Sequence, residues 1–137
     1  MKKIYYLLFA LHIFVGLGAL YGGLAGIINP QNPLGIPVEV LKYSPFNNFL
    51  IPAIILLVVI GLGNIFSAYM FRFKSRYQGY ISAIFGCALV IWIVVQCIMM
   101  QAVAFLHVLY FIIGFIQVAL STLLLMAPPN SLKRPPA

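Results

Sequence analysis

Four long apolar runs, residues 4–28, 46–71, 77–99 and 102–127, take up nearly all of a 137-residue chain. Each exceeds the roughly 20 residues that a helix needs to cross the hydrocarbon core of a bilayer. The chain is 64% hydrophobic and 7% charged, against about 25% charged residues in an ordinary soluble domain. No water-soluble fold hides that much apolar surface. The expectation is therefore an all-α integral membrane four-helix bundle built from residues 1–127. Residues 128–137 carry four prolines around Lys133 and Arg134; with no apolar face to bury, they are expected to form a disordered cytoplasmic tail. The first run follows Lys2 and Lys3 as a secretory leader would, but it is longer than an h-region of about 7–15 residues. It reads as a retained span.

The net charge of +7 has an explanation other than nucleic acid, which is not expected as a partner. Lys2 and Lys3 precede the first run, Arg72, Lys74 and Arg76 separate the second from the third, and Lys133 and Arg134 follow the fourth. In a four-span chain these positions share one side, and only Lys42 falls on the other. That asymmetry predicts cytoplasmic termini and an outside loop at residues 29–48. The same basic groups suit anionic lipid headgroups.

The first run carries Gly18, Gly22 and Gly26 at four-residue spacing, with Gly16, Ala19 and Gly23 beside them. Small residues at this spacing let helices approach closely in lipid, against a neighbouring span or a second copy of the chain. Gly22→Leu is then expected to destabilise the protein. The loop at 29–48 holds Pro30, Pro33, Pro37 and Pro45, each restricting its own backbone and that of the preceding residue, and so should be ordered. Residues 37–43 suggest one or two helical turns, with Glu39 three positions before Lys42. Ser44-Pro45 looks like an N-cap and first helical residue, which starts the second helix there. Pro52 should bend that helix. Cys87 and Cys97 lie ten residues apart in one span, about 15 Å along a helix, too far to pair. Their expected role is as buried small apolar side chains.

Glu39 is the sole carboxylate side chain. Paired-carboxylate acid–base catalysis, a carboxylate metal site and an acidic proton relay inside the membrane all need residues that are not there. No catalytic residue, metal site or cofactor is expected. What the spans do contain is neutral. Counted from the cytoplasmic ends, His12, Asn64 and Gln117 lie about eight to ten residues deep, or roughly 12–15 Å, and form a candidate intramembrane polar layer that Ser67 and Ser121 extend. His107, Tyr110, Gly114, Gln117 and Ser121 recur at three-four spacing and share one helix face. Such a layer either fixes helix register through hydrogen bonds or lines a pathway, in which His12 is the group able to change charge near neutral pH. Glu39, Lys42, Gln96, Gln101 and His107 gather near the outer ends of the helices as a candidate vestibule.

The stretch Pro33-Leu-Gly-Ile-Pro37 to Leu41, then Ser44-Pro-Phe, Phe49-Leu-Ile-Pro52, Gly61-Leu-Gly-Asn64 and residues 89–96 resembles small four-span membrane proteins of bacteria with no assigned activity. The resemblance implies a bacterial plasma membrane protein and transfers no catalytic residue. Small fluoride channels are similar in size, span count and the Gly63-Asn64 pair, but this chain lacks their first-span arginine and its charge bias favours one orientation. The leading expectation is a non-enzymatic accessory or assembly partner of another membrane component. The alternative is a small transporter or channel for a neutral or weakly charged solute, running through the polar layer.

Overall fold

The computed structural model of the chain describes residues 2–73 and 77–126. Lys74, Ser75, Arg76 and the tail expected at 128–137 lie outside the described residues. Among the described residues the structure is all-helical, with four helices long and apolar enough to cross a membrane. They are α1 (Lys2–Ile28), α2 (Leu50–Phe73), α3 (Tyr77–Met100) and α4 (Phe105–Met126). Each packs against the next, and α4 closes back on α1. Large apolar side chains such as Leu17, Tyr21, Ile84 and Ile91 point outward, as lipid-facing surfaces require.

Glycines decide how closely α1 and α2 approach. A methyl group placed on Gly23 would lie 3.0 Å from both the Leu57 Cα and the Ala53 carbonyl oxygen, and one on Gly16 would lie 2.6 Å from Ile65. From the other side, Gly61 faces Leu20. The expected glycine positions are placed differently from one another. Gly26 abuts Ala53 and Gly18 abuts the Tyr110 hydroxyl, whereas Gly22 meets only the Leu56 side chain at 3.3 Å. The closest approach to the α2 backbone is thus at Gly23, with Gly16 against the Gly61 carbonyl beside it, on a face neighbouring the four-residue series.

The loop between α1 and α2 is ordered by its own polar groups. Asn29 Nδ2 donates to the Asn32 carbonyl, Asn29 Oδ1 accepts from the Asn32 N–H, and the Phe49 N–H donates to the Pro30 carbonyl at 2.9 Å, closing the loop at its base. Short 3-10 turns form at Pro33–Gly35 and Val38–Leu41; the second is the helical segment expected near Glu39. Ser44-Pro45 does not start α2. The Ser44 hydroxyl donates to the Leu41 carbonyl and accepts from the Phe46 N–H, making a turn, and the helix begins at Leu50, whose N–H donates to Asn48 Oδ1 at 2.9 Å. Pro52 consequently falls in the first helical turn, where its missing N–H has no partner to lose. The irregularity of α2 lies further on. Residues Leu56–Leu62 form a π-helical segment, a wide-turn geometry that is rare and concentrated at functional sites.

The α3–α4 turn contains no glycine, yet it closes as a helix C-cap of the Schellman kind. Gln101 adopts the left-handed conformation at φ 51°, its N–H donates to the Ile98 carbonyl, and the Ala102 N–H reaches back to the Cys97 carbonyl. At the start of α4, His107 Nδ1 accepts from the Ala104 N–H at 3.0 Å. That is the returning half of a capping box, with histidine in the place usually held by Glu or Gln. Cys87 is exposed rather than buried, and Cys97 is half-buried.

Candidate functional site

Polar side chains occupy two strata inside the bundle, and these differ in how their hydrogen bonds are used. The lower stratum brings together three of the sequence-selected residues. His12 Nδ1 lies 2.7 Å from Asn64 Oδ1, and Gln117 Nε2 lies 3.2 Å from the same oxygen and 3.2 Å from His12 Nδ1. Asn64 Nδ2 donates to the Ile60 carbonyl at 2.7 Å within the π-helical segment. With that amide nitrogen committed, Oδ1 must be the acceptor facing His12, so the imidazole carries its proton on Nδ1. All three side chains are 0% exposed.

Towards the chain termini the layer continues through Ser67, Gln78 and Ser82. Gln78 Nε2 donates to the Ser67 carbonyl at 3.0 Å and to the Ser82 hydroxyl at 3.1 Å, tying α2 to α3. Ser121 turns inward on its own helix and donates to the Gln117 carbonyl. Gln78 and Ser82 escaped the sequence reading. The signal was present, because Gln78, Ser82, Gly86 and Leu89 share a buried face at three-four spacing, but Gln78 sits one residue inside the helix start and reads as interface. Below them Leu8, Phe71 and Leu124 form an apolar seal, with the Tyr5 hydroxyl donating to the Phe71 carbonyl.

The upper stratum surrounds a cavity of about 410 Å³ near the α1–α2 loop. Small residues of α1 and α2 (Gly18, Gly22, Gly26, Ala53), together with Trp92 and Ile93 of α3, form part of the wall, and Pro33, Leu34 and Ile36 of the loop border it. Leu34 is held at φ 54°, ψ 29°, left-handed values that are strained for a leucine. The floor is Val15, Ile60 and Leu89, all 0–2% exposed. These three lie about one helical turn above the layer of His12, Asn64 and Gln117, none of which lines the cavity.

No family model, curated protein or solved structure matches the chain. The site therefore rests on its own geometry. Of the expected vestibule, Gln96 and His107 line the cavity, while Glu39, Lys42 and Gln101 do not. Glu39 is exposed on its 3-10 turn, Lys42 lies over the Tyr43 ring at 5.0 Å, and Gln101 Nε2 donates to the Ile98 carbonyl. These three residues lie on the loop and cap surfaces instead. Among the described residues no group of three or more His, Cys, Asp or Glu side chains is placed to hold a metal.

Proposed function

We propose that this chain is a non-enzymatic, multi-pass component of a bacterial plasma membrane, with both termini cytoplasmic, that acts by holding a molecule in the outer half of its bundle. It serves as an accessory or assembly partner for another membrane component. The observation that carries this reading is the separation of the cavity from the polar layer. A cavity of about 410 Å³ is within the ordinary range for a ligand site, roughly 300–1,000 Å³, and the Val15–Ile60–Leu89 floor divides it from the polar groups beneath. The orientation is supported by the placement of the basic residues.

A second reading, a transporter for a neutral or weakly charged solute, has one observation in its favour. His12 Nε2, Gln117 Oε1 and Gln78 Oε1 are buried with no hydrogen-bond partner. With the His12 proton on Nδ1, all three are acceptors, and they stack along the bundle below the cavity floor. A passing donor would find partners there. Purified protein in liposomes distinguishes the readings. Holding without passage predicts solute flux at the level of empty liposomes for urea, glycerol and ammonia. Flux above that level, abolished by Asn64→Leu, would establish the pathway instead.

A further inference from the structure

We infer that the outer cavity binds a neutral amphipathic lipid, an apolar chain ending in an uncharged oxygen-bearing head such as an ester carbonyl or hydroxyl. This inference rests on the holding function proposed above and names its ligand class. The first ground is the contrast between the two polar strata. In the lower one, the donors of His12, Asn64, Gln117, Ser67, Gln78 and Ser82 are bonded to one another or to backbone, and the unmet atoms, His12 Nε2, Gln117 Oε1 and Gln78 Oε1, are acceptors. In the upper one, Gln96 and Tyr110 line the cavity and make no hydrogen bond within the described protein, and His107 uses only Nδ1. Because that nitrogen accepts from the Ala104 N–H, the neutral ring carries its proton on Nε2. The upper groups thus offer an N–H, an amide and a phenol that the protein does not itself consume.

The second ground is their placement. Gln96 and His107 sit at the loop ends of α3 and α4, while the cavity floor is purely aliphatic. A ligand that fills this space lays an apolar chain along Gly18, Gly22 and Ala53 and keeps its polar end beneath the loop. The third ground is charge. Among the described residues no Lys, Arg, Asp or Glu lines the cavity, so an ionised head would lose its hydration without gaining a counter-charge. The head is therefore uncharged. It presents acceptor oxygens to the His107 Nε2–H and the Gln96 amide.

Trp92, the single tryptophan of the chain, stands in the cavity wall and reports occupancy directly. The full-length protein in phosphatidylcholine nanodiscs is titrated with dibromostearoyl monoglyceride, with dibromooctadecane as a chain lacking a head, and with ionised dibromostearate. Bromine quenches indole fluorescence on contact. Expected is saturable quenching by the monoglyceride at a mole fraction about tenfold below that needed for either other probe, the difference made by one or two hydrogen bonds. Gln96→Leu should narrow that gap to about threefold, and Gly22→Leu, which projects into the cavity, should remove the saturable component. Equal saturation by dibromooctadecane or by dibromostearate would overturn the head-group assignment while leaving an apolar holding site. If no probe quenches saturably, both the ligand class and the holding function fall.

Discussion

Asn64 is the hub of the buried layer, and Asn64→Leu tests whether that layer is part of what holds the bundle together. The asparagine accepts from His12 at 2.7 Å and from Gln117 at 3.2 Å, and donates to the Ile60 carbonyl at 2.7 Å. Leucine has a similar size and none of these functions. The Ile60 carbonyl keeps the Gly63 N–H as a backbone partner, so the damage is confined to two side-chain donors sealed from water. Interhelical hydrogen bonds in membranes average about 0.6 kcal/mol, which sets a floor near ~1 kcal/mol for the two bonds to His12 and Gln117. A buried donor left unmet costs about 1–3 kcal/mol, which raises the expectation to about 4 kcal/mol.

The triple variant His12→Leu/Asn64→Leu/Gln117→Leu removes the donors along with their acceptor. It should therefore be more stable than Asn64→Leu alone, because replacing all partners by apolar groups abolishes the unmet bonds. Reversible unfolding in mixed micelles, followed through Trp92 fluorescence, measures both. An Asn64→Leu cost below about 0.5 kcal/mol, the level of an ordinary surface change, would show that the layer contributes nothing. Three single-variant costs that simply add in the triple would refute the coupling.

Three further outcomes are expected. Gly23→Ala should cost about 1–3 kcal/mol by overpacking, since the new methyl meets the α2 backbone at 3.0 Å; an unchanged melting temperature would place the α1–α2 contact elsewhere. His107→Ala should cost about 0.5–1 kcal/mol and His107→Gln should restore most of it, because Gln at this position completes the capping box with the Ala104 N–H; equal loss in both would deny the cap. In a cysteine-free background, a cysteine at Asn32 should react with an impermeant thiol reagent on intact cells while one at Ser75 does not, and the reverse pattern would invert the orientation.

Hydropathy made the four spans legible to within a few residues, because the demand for about 20 apolar residues per crossing is satisfied at few places in the chain. Depth counting brought His12, Asn64 and Gln117 together for a similar reason: helices of fixed rise that start at the same end reach the same level after the same number of residues. What it missed depended on contacts between segments. Ser44-Pro45 has the local chemistry of a helix start, but its hydroxyl is drawn to the Leu41 and Phe46 backbone. Gln101 closes a helix in a conformation that favours glycine, and nothing in its neighbours announces it. The cavity was invisible because a void is a property of four helices at once. Lys42 and Glu39 looked like its rim only because they share its end of the bundle.

The cavity nevertheless has a cause in the sequence. Helix α1 bears glycines on more than one face, and a bundle cannot press a neighbour against all of them. Gly16, Gly23 and Gly26 are packed by α2 and Gly18 meets the Tyr110 hydroxyl, whereas Gly22 faces the cavity with a single side-chain neighbour. A glycine so placed leaves unfilled the volume that a leucine would occupy. Spacing alone leads to the expectation that Gly22→Leu destabilises; the geometry around Gly22 predicts the opposite outcome. Its added Cβ meets one flexible side-chain atom of Leu56 at 3.3 Å, and the rest of the side chain enters the cavity. Cavity-filling substitutions commonly raise stability by about 0.5–2 kcal/mol, so Gly22→Leu should melt at or above the parent temperature while losing the saturable lipid signal. A Gly22→Leu protein that melts as low as Gly23→Ala would mean that α1 and its neighbours are in contact at this position, and that the glycines leave no space for a guest.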